Sequence, residues 1–130
     1  MNKLSDRQSP RFTGRSVLVT GGSGGIGTEL CRRFAAEGAH VTVHYGRQAD
    51  AAEALVASLP GDGHQALAAD LRDPVAVRDL VERASEARGL DVLVNNAGVY
   101  ERHPPLATDF ESWRLAWDRA LGINLAGAID

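Results

Sequence analysis

Four short apolar runs alternate along this chain with four segments of helical periodicity. The first run, Ser16–Thr20, is β-branched and uninterrupted, which predicts a strand buried on both faces. Beyond it, Ile26, Leu30 and Phe34 recur every four residues, as on one face of a helix. The later strands are predicted at Val41–Val43, Gln65–Ala69 and Asp91–Val94. This alternation predicts an α/β fold with a parallel sheet, right-handed crossovers and helices on both faces.

Composition and charge narrow the class of protein. With 130 residues, 44% of them hydrophobic and 24% charged, the sequence is typical of one soluble α/β domain. We expect residues 1–13 to form a flexible polar tail without a signal peptide, and residues 14–130 to form the domain. The net charge of -3 argues against a nucleic-acid partner, and no apolar run is long enough to span a membrane. Cys31 is the only cysteine, so no internal disulfide forms and a reducing, cytoplasmic location fits.

A glycine-rich run, Thr20–Gly27, joins the first predicted strand to the first helix. Glycines at this point permit a tight turn and a close approach of the backbone to a pyrophosphate, which the N-terminus of the helix attracts. The run fits both Gly-x-Gly-x-x-Gly and Gly-x-x-x-Gly-x-Gly spacings. A merely flexible turn is the alternative, but the flanking strand and helix favour a dinucleotide site.

Two motifs carry a family resemblance. Thr20-Gly21-x-x-x-Gly25-Ile26-Gly27, together with Asn95-Asn96-Ala97-Gly98 about 70 residues later, resembles the short-chain dehydrogenase/reductase family from about Gly14 to Asp130. The resemblance implies a Rossmann-like, doubly wound parallel sheet with strand order 3-2-1-4. It also implies a nicotinamide dinucleotide cofactor and an oxidoreductase that interconverts small carbonyl and alcohol substrates by hydride transfer.

The resemblance also assigns cofactor contacts. Asp70 is expected to accept a hydrogen bond from the adenine amino group and Leu71 to pack on the base, although helix capping or solvation is the alternative for Asp70. Asn96 is expected to contact the cofactor directly, whereas Asn95 is expected to be structural. The remaining contacts are expected from backbone or small side chains of the two motifs, at Gly21, Ser23, Gly25, Ile26, Gly27, Ala97 and Gly98.

The residues after the second strand bear on the choice of cofactor. Enzymes that use NAD generally place an acid there for the ribose 2′-hydroxyl, but this sequence has no acid between His44 and Asp50. Arg47 is suited to pair with a 2′-phosphate, and Ser23 offers a hydroxyl contact. NADP(H) is therefore favoured over NAD(H), with a solvated role for Arg47 as the alternative.

The catalytic set that the resemblance implies comprises Asn, Ser, Tyr and Lys, and only part of it is found. Asn124 matches the family's active-site Asn, the alternative being an Asn that bonds back to its own helix. Neither Tyr45 nor Tyr100 is followed by Lys four residues later, and Lys3 is the only lysine. We expect this chain to correspond to the N-terminal part of such an enzyme, truncated after the fourth helix and inactive alone. A non-catalytic NADP(H)-binding module, one subunit of a split enzyme and a truncation product are the alternatives.

Two further sets of residues carry predictions. The fourth helix has an apolar stripe that either packs in the core or contacts a second copy of the chain in a homo-oligomer, and the fourth strand is expected to be an exposed apolar edge. The stripe consists of Phe110, Trp113, Trp117 and Leu121. The histidines are expected to be solvated, and their scattered spacing predicts no metal site: His40, His44, His64 and His103.

Overall fold

The structure is a computed structural model that describes residues 9–102, 104 and 108–130 of the 130-residue chain. Within these residues, strands and helices alternate as the periodicity predicts. In chain order they are β1 (Ser16–Val19), α1 (Gly25–Ala36), β2 (His40–Tyr45), α2 (Ala49–Ser58), β3 (Gln65–Ala68), α3 (Pro74–Ser85), β4 (Val92–Val94), α4 (Phe110–Leu121), a π-helical turn (Gly122–Ala126) and α5 (Gly127–Ile129).

The described strands form one parallel sheet in the order β3-β2-β1-β4. At the centre of the sheet, Leu18 of β1 is paired with Thr42 of β2 on one side and with Leu93 of β4 on the other. The predicted strand order is therefore confirmed. Because the strands are parallel, the segments that follow them all lie along one edge of the sheet.

Two apolar layers cover the two faces of the sheet. Val17 and Val19 of β1 face a cluster that includes Cys31 of α1 and Leu55 of α2. Leu18 points the other way, into a second cluster formed with β3 and α3. All of β1 is buried, as its uninterrupted apolar run predicts. The sheet is thus doubly wound, and Cys31 is the small core residue that its spacing in α1 suggests.

The helix termini follow local chemistry. Asp73 and Asp109 cap α3 and α4, accepting hydrogen bonds from the backbone N–H groups of Val75 and Ser112. Gly38, which follows the end of α1, has a φ of 87°, a conformation that glycine adopts without strain. Asp73 and Asp109 thus begin their helices, and Gly38 follows the end of α1.

The segment before β1 is in contact with α1. The Phe12 ring packs edge-on against Phe34 with centroids 4.9 Å apart, and the Phe12 N–H donates to the carbonyl of Glu37 over 2.9 Å. The polar composition of residues 1–13 did not indicate this contact. Residues 1–8 lie outside the described part of the chain, and the tail boundary at residue 13 stays a prediction.

The apolar stripe of α4 does not enter the core. Among the described residues of α4, Ala116 is buried, whereas Phe110 is 71% and Leu121 49% exposed. Trp113 instead lies between Phe110 and Trp117, with ring centroids about 6 Å apart on each side. The described part of the chain therefore does not bury this stripe in a core, and contact with a second copy of the chain stays a prediction.

Strand β4 forms one of the two edges of the sheet. Its Leu93 is 48% exposed, as expected for an uncovered apolar edge. Within residues 9–102, 104 and 108–130, the helices are too short or too polar for any of them to cross a membrane.

Candidate dinucleotide site

A cleft of about 740 Å³ lies at the carboxyl ends of the strands. Its walls come from the segments that follow β1, β2, β3 and β4, together with part of α4 and the π-helical turn. Every residue to which the sequence assigns a cofactor contact lines this cleft: Gly21, Ser23, Gly25, Ile26, Gly27, Arg47, Asp70, Leu71, Asn96, Ala97 and Gly98. Contact between these residues and a cofactor stays a prediction.

The loop between β1 and α1 is packed so closely that glycine is required at two of its positions. Gly21 has a φ of 61°, and a Cβ there would lie 2.9 Å from the Cα of Ala97. A Cβ on Gly27 would collide with the carbonyl oxygen of Gly21 and lie 2.8 Å from the Cα of Gly22. No side chain caps α1, because its N-cap residue is Gly24. The first backbone N–H groups of the helix therefore face the cleft without a protein side chain in front of them.

Thr20 joins this loop to the segment after β4. Its Oγ1 accepts hydrogen bonds from the N–H groups of Asn96 (3.0 Å) and Ala97 (3.1 Å) and donates to the carbonyl of Val94 (3.3 Å). The Asn96 side chain completes the connection, donating from Nδ2 to the carbonyls of Thr20 (3.0 Å) and Gly21 (3.2 Å). Asn96 thus holds the glycine loop, and the direct contact with the cofactor that the sequence assigns to it stays a prediction.

Replacing Thr20 by valine is expected to lower the free energy of unfolding by about 1–3 kcal/mol, because the partly buried N–H of Ala97 loses its acceptor and that of Asn96 keeps only the Val94 carbonyl. Thr20→Ser, which keeps the hydroxyl, is the matched control and is expected to retain most of that free energy. Urea titration of the three proteins measures the difference. Equal urea midpoints for the valine and serine variants would show that the Thr20 hydroxyl does not stabilise the contact between the two segments.

The His44 side chain also joins two segments of the cleft. Its position corrects the prediction that the histidines are solvated. Its ring is 3% exposed. Nδ1 accepts a hydrogen bond from the N–H of Gly21 over 3.0 Å, and Nε2 lies 3.0 Å from the carbonyl of Ala69. Burial lowers the pKa of His44, opposed in part by the hydrogen bond to Ala69. His64 is also engaged through both ring nitrogens, whereas His103 lies outside the described residues.

Asp70 lies just after the carboxyl end of β3, next to Arg72. The guanidinium of Arg72 contacts both carboxylate oxygens, with Nη2 2.7 Å from Oδ2 and Nε 3.0 Å from Oδ1. This hydrogen bonding, with the N–H of Arg72 and the charge of Arg47 adding to it, lowers the pKa of Asp70 to about 2. The carboxylate is therefore ionised near neutral pH, so both of its oxygens can only accept hydrogen bonds.

Leu71, beside Asp70, is 6% exposed and belongs to the core between β3 and α3. Gly127 of α5 lies directly on its carbonyl, where a Cβ would collide with the Leu71 oxygen. The part of Leu71 that faces the cleft is thus small.

Asn124 lies in the π-helical turn and is bonded to the loop after β4. Its Oδ1 accepts from the N–H of Val99 over 2.7 Å, and its Nδ2 donates to the Val99 carbonyl over 2.9 Å. The alternative that Asn124 bonds back to its own helix is therefore not what the structure shows. A π-helical turn inside a helix often marks a functional site. The neighbouring Ile123 lines the cleft, and a catalytic role for Asn124 stays a prediction.

Comparison with known proteins decides the family. A family model described as short chain dehydrogenase matches residues 15–130. The chain belongs to this family. It is 36% identical over 120 residues to a meso-2,3-butanediol dehydrogenase from Serratia marcescens, with 92% of this chain and 46% of the relative covered.

Solved structures of short chain dehydrogenases resemble the fold. A short chain dehydrogenase from Burkholderia cenocepacia J2315 in complex with NADP has a TM-score of 0.79 and 42% identity, covering 92% of this chain and 48% of that one. A 3-ketoacyl-(acyl-carrier-protein) reductase from Brucella melitensis complexed with NADH has a TM-score of 0.75 and 33% identity, covering 90% and 46%. The chain therefore spans about half the length of these relatives.

The sequence did not predict the individual roles of three residues that support the cleft. Thr20 and His44 act through partners on other segments of the chain, whereas Arg72 pairs with Asp70 on its own segment. His44 directly follows the predicted strand Val41–Val43, and the structure extends that strand to include and bury it.

Proposed function

We propose that this chain is the nicotinamide dinucleotide-binding part of an oxidoreductase that reduces small carbonyl compounds or oxidises the corresponding alcohols, with NADP(H) preferred. The observation that carries the proposal is the glycine loop, which lies at the uncapped N-terminus of α1 and opens into the cleft. This arrangement suits a pyrophosphate, because backbone N–H groups and the helix dipole favour an anion.

The cleft contains a residue suited to bind each end of the adenosine half of the cofactor. Asp70, ionised and held by Arg72, is suited to accept from the adenine amino group. On the loop after β2, Arg47 is exposed, lines the cleft and lies near enough to Asp70 to lower its pKa. A 2′-phosphate between this guanidinium and the Ser23 hydroxyl would gain charge-assisted hydrogen bonds. The Burkholderia relative in complex with NADP supports this preference, whereas the Brucella relative in complex with NADH supports the alternative.

When bound, the nicotinamide ring supplies or accepts the hydride. The residues of this chain bind and orient the dinucleotide, and Gly98 leaves space near Asn124, whose Oδ1 would lie 3.5 Å from a Cβ on Gly98. A proton-relay role for Asn124 is part of the proposal, as is a cytoplasmic location.

The proposal is tested by calorimetric titration of the chain with NADP⁺ and with NAD⁺. We expect NADP⁺ to bind with a Kd of about a micromolar to tens of micromolar, and NAD⁺ to bind more weakly. Nicotinamide mononucleotide, which lacks the adenosine half, is the control ligand and is expected to show no measurable binding. Absence of NADP⁺ binding at millimolar concentration would contradict the proposal.

The sequence also supports a narrower function. Since neither tyrosine is followed four residues later by lysine, the chain lacks the proton-transfer pair that the family resemblance implies. A chain that binds NADP(H) without catalysis, or one subunit of a split enzyme, would have the same cleft. Carbonyl-dependent oxidation of NADPH separates these cases: it is expected to be absent for the chain alone, and it appears on addition of a complementary polypeptide only in a split enzyme.

A further inference from the structure

The buried ring of His44 connects two parts of the cleft that lie far apart in sequence. Through Nδ1 it holds the N–H of Gly21, where the glycine loop begins. Through Nε2 it holds the carbonyl of Ala69, the residue before Asp70. One side chain therefore links the loop that faces the pyrophosphate to the carboxylate that faces the adenine.

The two hydrogen bonds require the neutral ring in one tautomer. Because the N–H of Gly21 is a donor, Nδ1 has to be an acceptor and carries no proton. Because the carbonyl of Ala69 is an acceptor, Nε2 has to carry the proton. A protonated imidazole has donors at both nitrogens, so Nδ1–H and the Gly21 N–H would then face each other as two donors.

We propose that neutral His44 is a positioning residue that holds the glycine loop and the Asp70 segment in their binding arrangement, so that its protonation weakens dinucleotide binding in acid. The inference rests on the proposed function, because it concerns the same cleft. It assigns a defined role to a residue that touches the cofactor site through the backbone of its neighbours.

The glycine loop has little room to accommodate protonation at His44. Gly21 is already close to Ala97, since a Cβ on Gly21 would lie 2.9 Å from the Ala97 Cα. The next residue, Gly22, is held by its own N–H, which donates to the His44 carbonyl over 2.9 Å. Loss of the bond between the Gly21 N–H and Nδ1 therefore displaces a segment whose neighbours are fixed, rather than a free loop.

Two ionisable groups beside the partners of His44 keep their protonation state over the relevant range. Asp70, with a pKa of about 2, and Cys31, whose thiol pKa burial raises to about 11, do not change state between about pH 5 and pH 8. Arginines stay protonated throughout. The charged and titratable side chains around His44 are those of Cys31 beneath Gly22, Tyr45 and Arg47 on its own strand and loop, Asp70 and Arg72 after β3, and the Arg119–Glu101 pair on the α4 side of the cleft.

The sign of the pH dependence follows from the direction of the shift. Burial lowers the pKa of His44 in the folded chain below its usual value near 6.5. The stabilisation that neutral His44 provides is therefore complete above about pH 6.5 and is lost as the pH falls through the lower, folded-state pKa. If the dinucleotide requires the neutral ring, bound ligand lowers this pKa further, and affinity falls in the same direction.

Calorimetric titration with NADP⁺ from about pH 8 to pH 5 tests the inference on three proteins: wild type, His44→Asn and His64→Asn. Asparagine places its Oδ1 where Nδ1 stands, so it can accept from the Gly21 N–H but does not titrate. His64 is the matched control, because its Nδ1 accepts from the Val41 N–H over 3.0 Å and its Nε2 lies 2.9 Å from the Pro60 carbonyl, away from the cleft. The oxidised cofactor is used because reduced nicotinamide decomposes in acid.

For the wild type, we expect affinity to fall by up to about tenfold per pH unit below the pKa of His44, the limit for one linked proton. A 2′-phosphate itself gains a proton near pH 6, so the ratio of affinities between variant and wild type at each pH is the quantity that matters. This ratio is expected to change with pH for His44→Asn and to stay constant for His64→Asn. The same pH profile in wild type and His44→Asn would overturn the inference.

A measurement on the wild-type chain tests the inference even if the variants fail to fold. ¹⁵N NMR of the imidazole nitrogens is expected to show Nδ1 unprotonated at neutral pH and a His44 pKa that decreases when NADP⁺ is added. An unchanged or higher pKa with NADP⁺ would overturn the inference while leaving the proposed function intact. Failure of the wild type to bind NADP⁺ even at pH 8 would instead overturn the proposed function, and this inference with it.

Discussion

Gly27→Ala is expected to disrupt the glycine loop and to abolish binding of NADP⁺. The added Cβ would collide with the carbonyl oxygen of Gly21 and lie 2.8 Å from the Cα of Gly22 and 2.9 Å from the Nδ2 of Asn96. Two of these three atoms belong to backbone, which cannot rotate away as a flexible side chain does. We expect the free energy of unfolding to fall by about 3 kcal/mol or more, at the upper end of the usual cost of overpacking.

Gly25→Ala is the matched control, because it makes the same substitution two residues earlier in the same helix. A Cβ on Gly25 meets no atom within 4 Å, and its backbone is not in the left-handed region. Its melting temperature is expected to equal or exceed that of the wild type, since alanine favours helix over glycine. Any loss of NADP⁺ affinity in this variant then reports the closeness of the ligand, because Gly25 lines the cleft. A Gly27→Ala protein with wild-type melting temperature and affinity would contradict the assigned packing.

The order of the strands could be predicted from sequence because each local signal agreed with the global fold. Ser16–Val19 is buried along its whole length, as its uninterrupted apolar run suggests for a strand covered on both faces. Asp73 and Asp109 cap their helices where the sequence indicates. These features depend on residues close together in the chain.

The fourth helix shows the limit of periodicity. The spacing of Phe110, Trp113, Trp117 and Leu121 predicts an apolar stripe, and the helix does carry one. Periodicity cannot specify which surface covers such a stripe, and in this chain the stripe lies largely exposed. Phe12 is the opposite case, since a single aromatic ring in a polar segment packs on α1 without any periodic signal.

The sequence predicted which residues line the candidate site better than it predicted what their side chains contact. The motifs identify which backbone segments meet at the cleft, because glycines and small residues mark close approach. They do not reveal that the acceptors of the Asn96 amide are the carbonyls of Thr20 and Gly21, or that Leu71 lies mainly in the core. Contacts of this kind depend on the register between strands. That register places His44 opposite Leu67 and next to the glycine loop.

Arg47→Gln is expected to weaken NADP⁺ binding about ten- to hundredfold and to leave NAD⁺ binding within about twofold. Arg47 is exposed on the loop after β2 and lines the cleft, and its charge contributes to the low pKa of Asp70. A hydrogen-bonded pair between guanidinium and phosphate is among the stronger polar contacts, whereas a ribose hydroxyl gains little from a cation. Glutamine keeps the length and polarity of the side chain but removes the charge.

Arg32→Gln is the matched control for the loss of one positive charge, because Arg32 is an exposed residue of α1 outside the cleft. Its effect on either ligand is expected to be small and to disappear with added salt, since exposed charges are screened within about 10 Å at 0.1 M ionic strength. Equal weakening of NADP⁺ and NAD⁺ by Arg47→Gln would mean that Arg47 supports the cleft in general rather than reading the 2′-phosphate. Loss confined to NADP⁺ makes Arg47 the residue that selects between the two dinucleotides, since no acidic side chain occurs between His44 and Asp50 to favour a free 2′-hydroxyl.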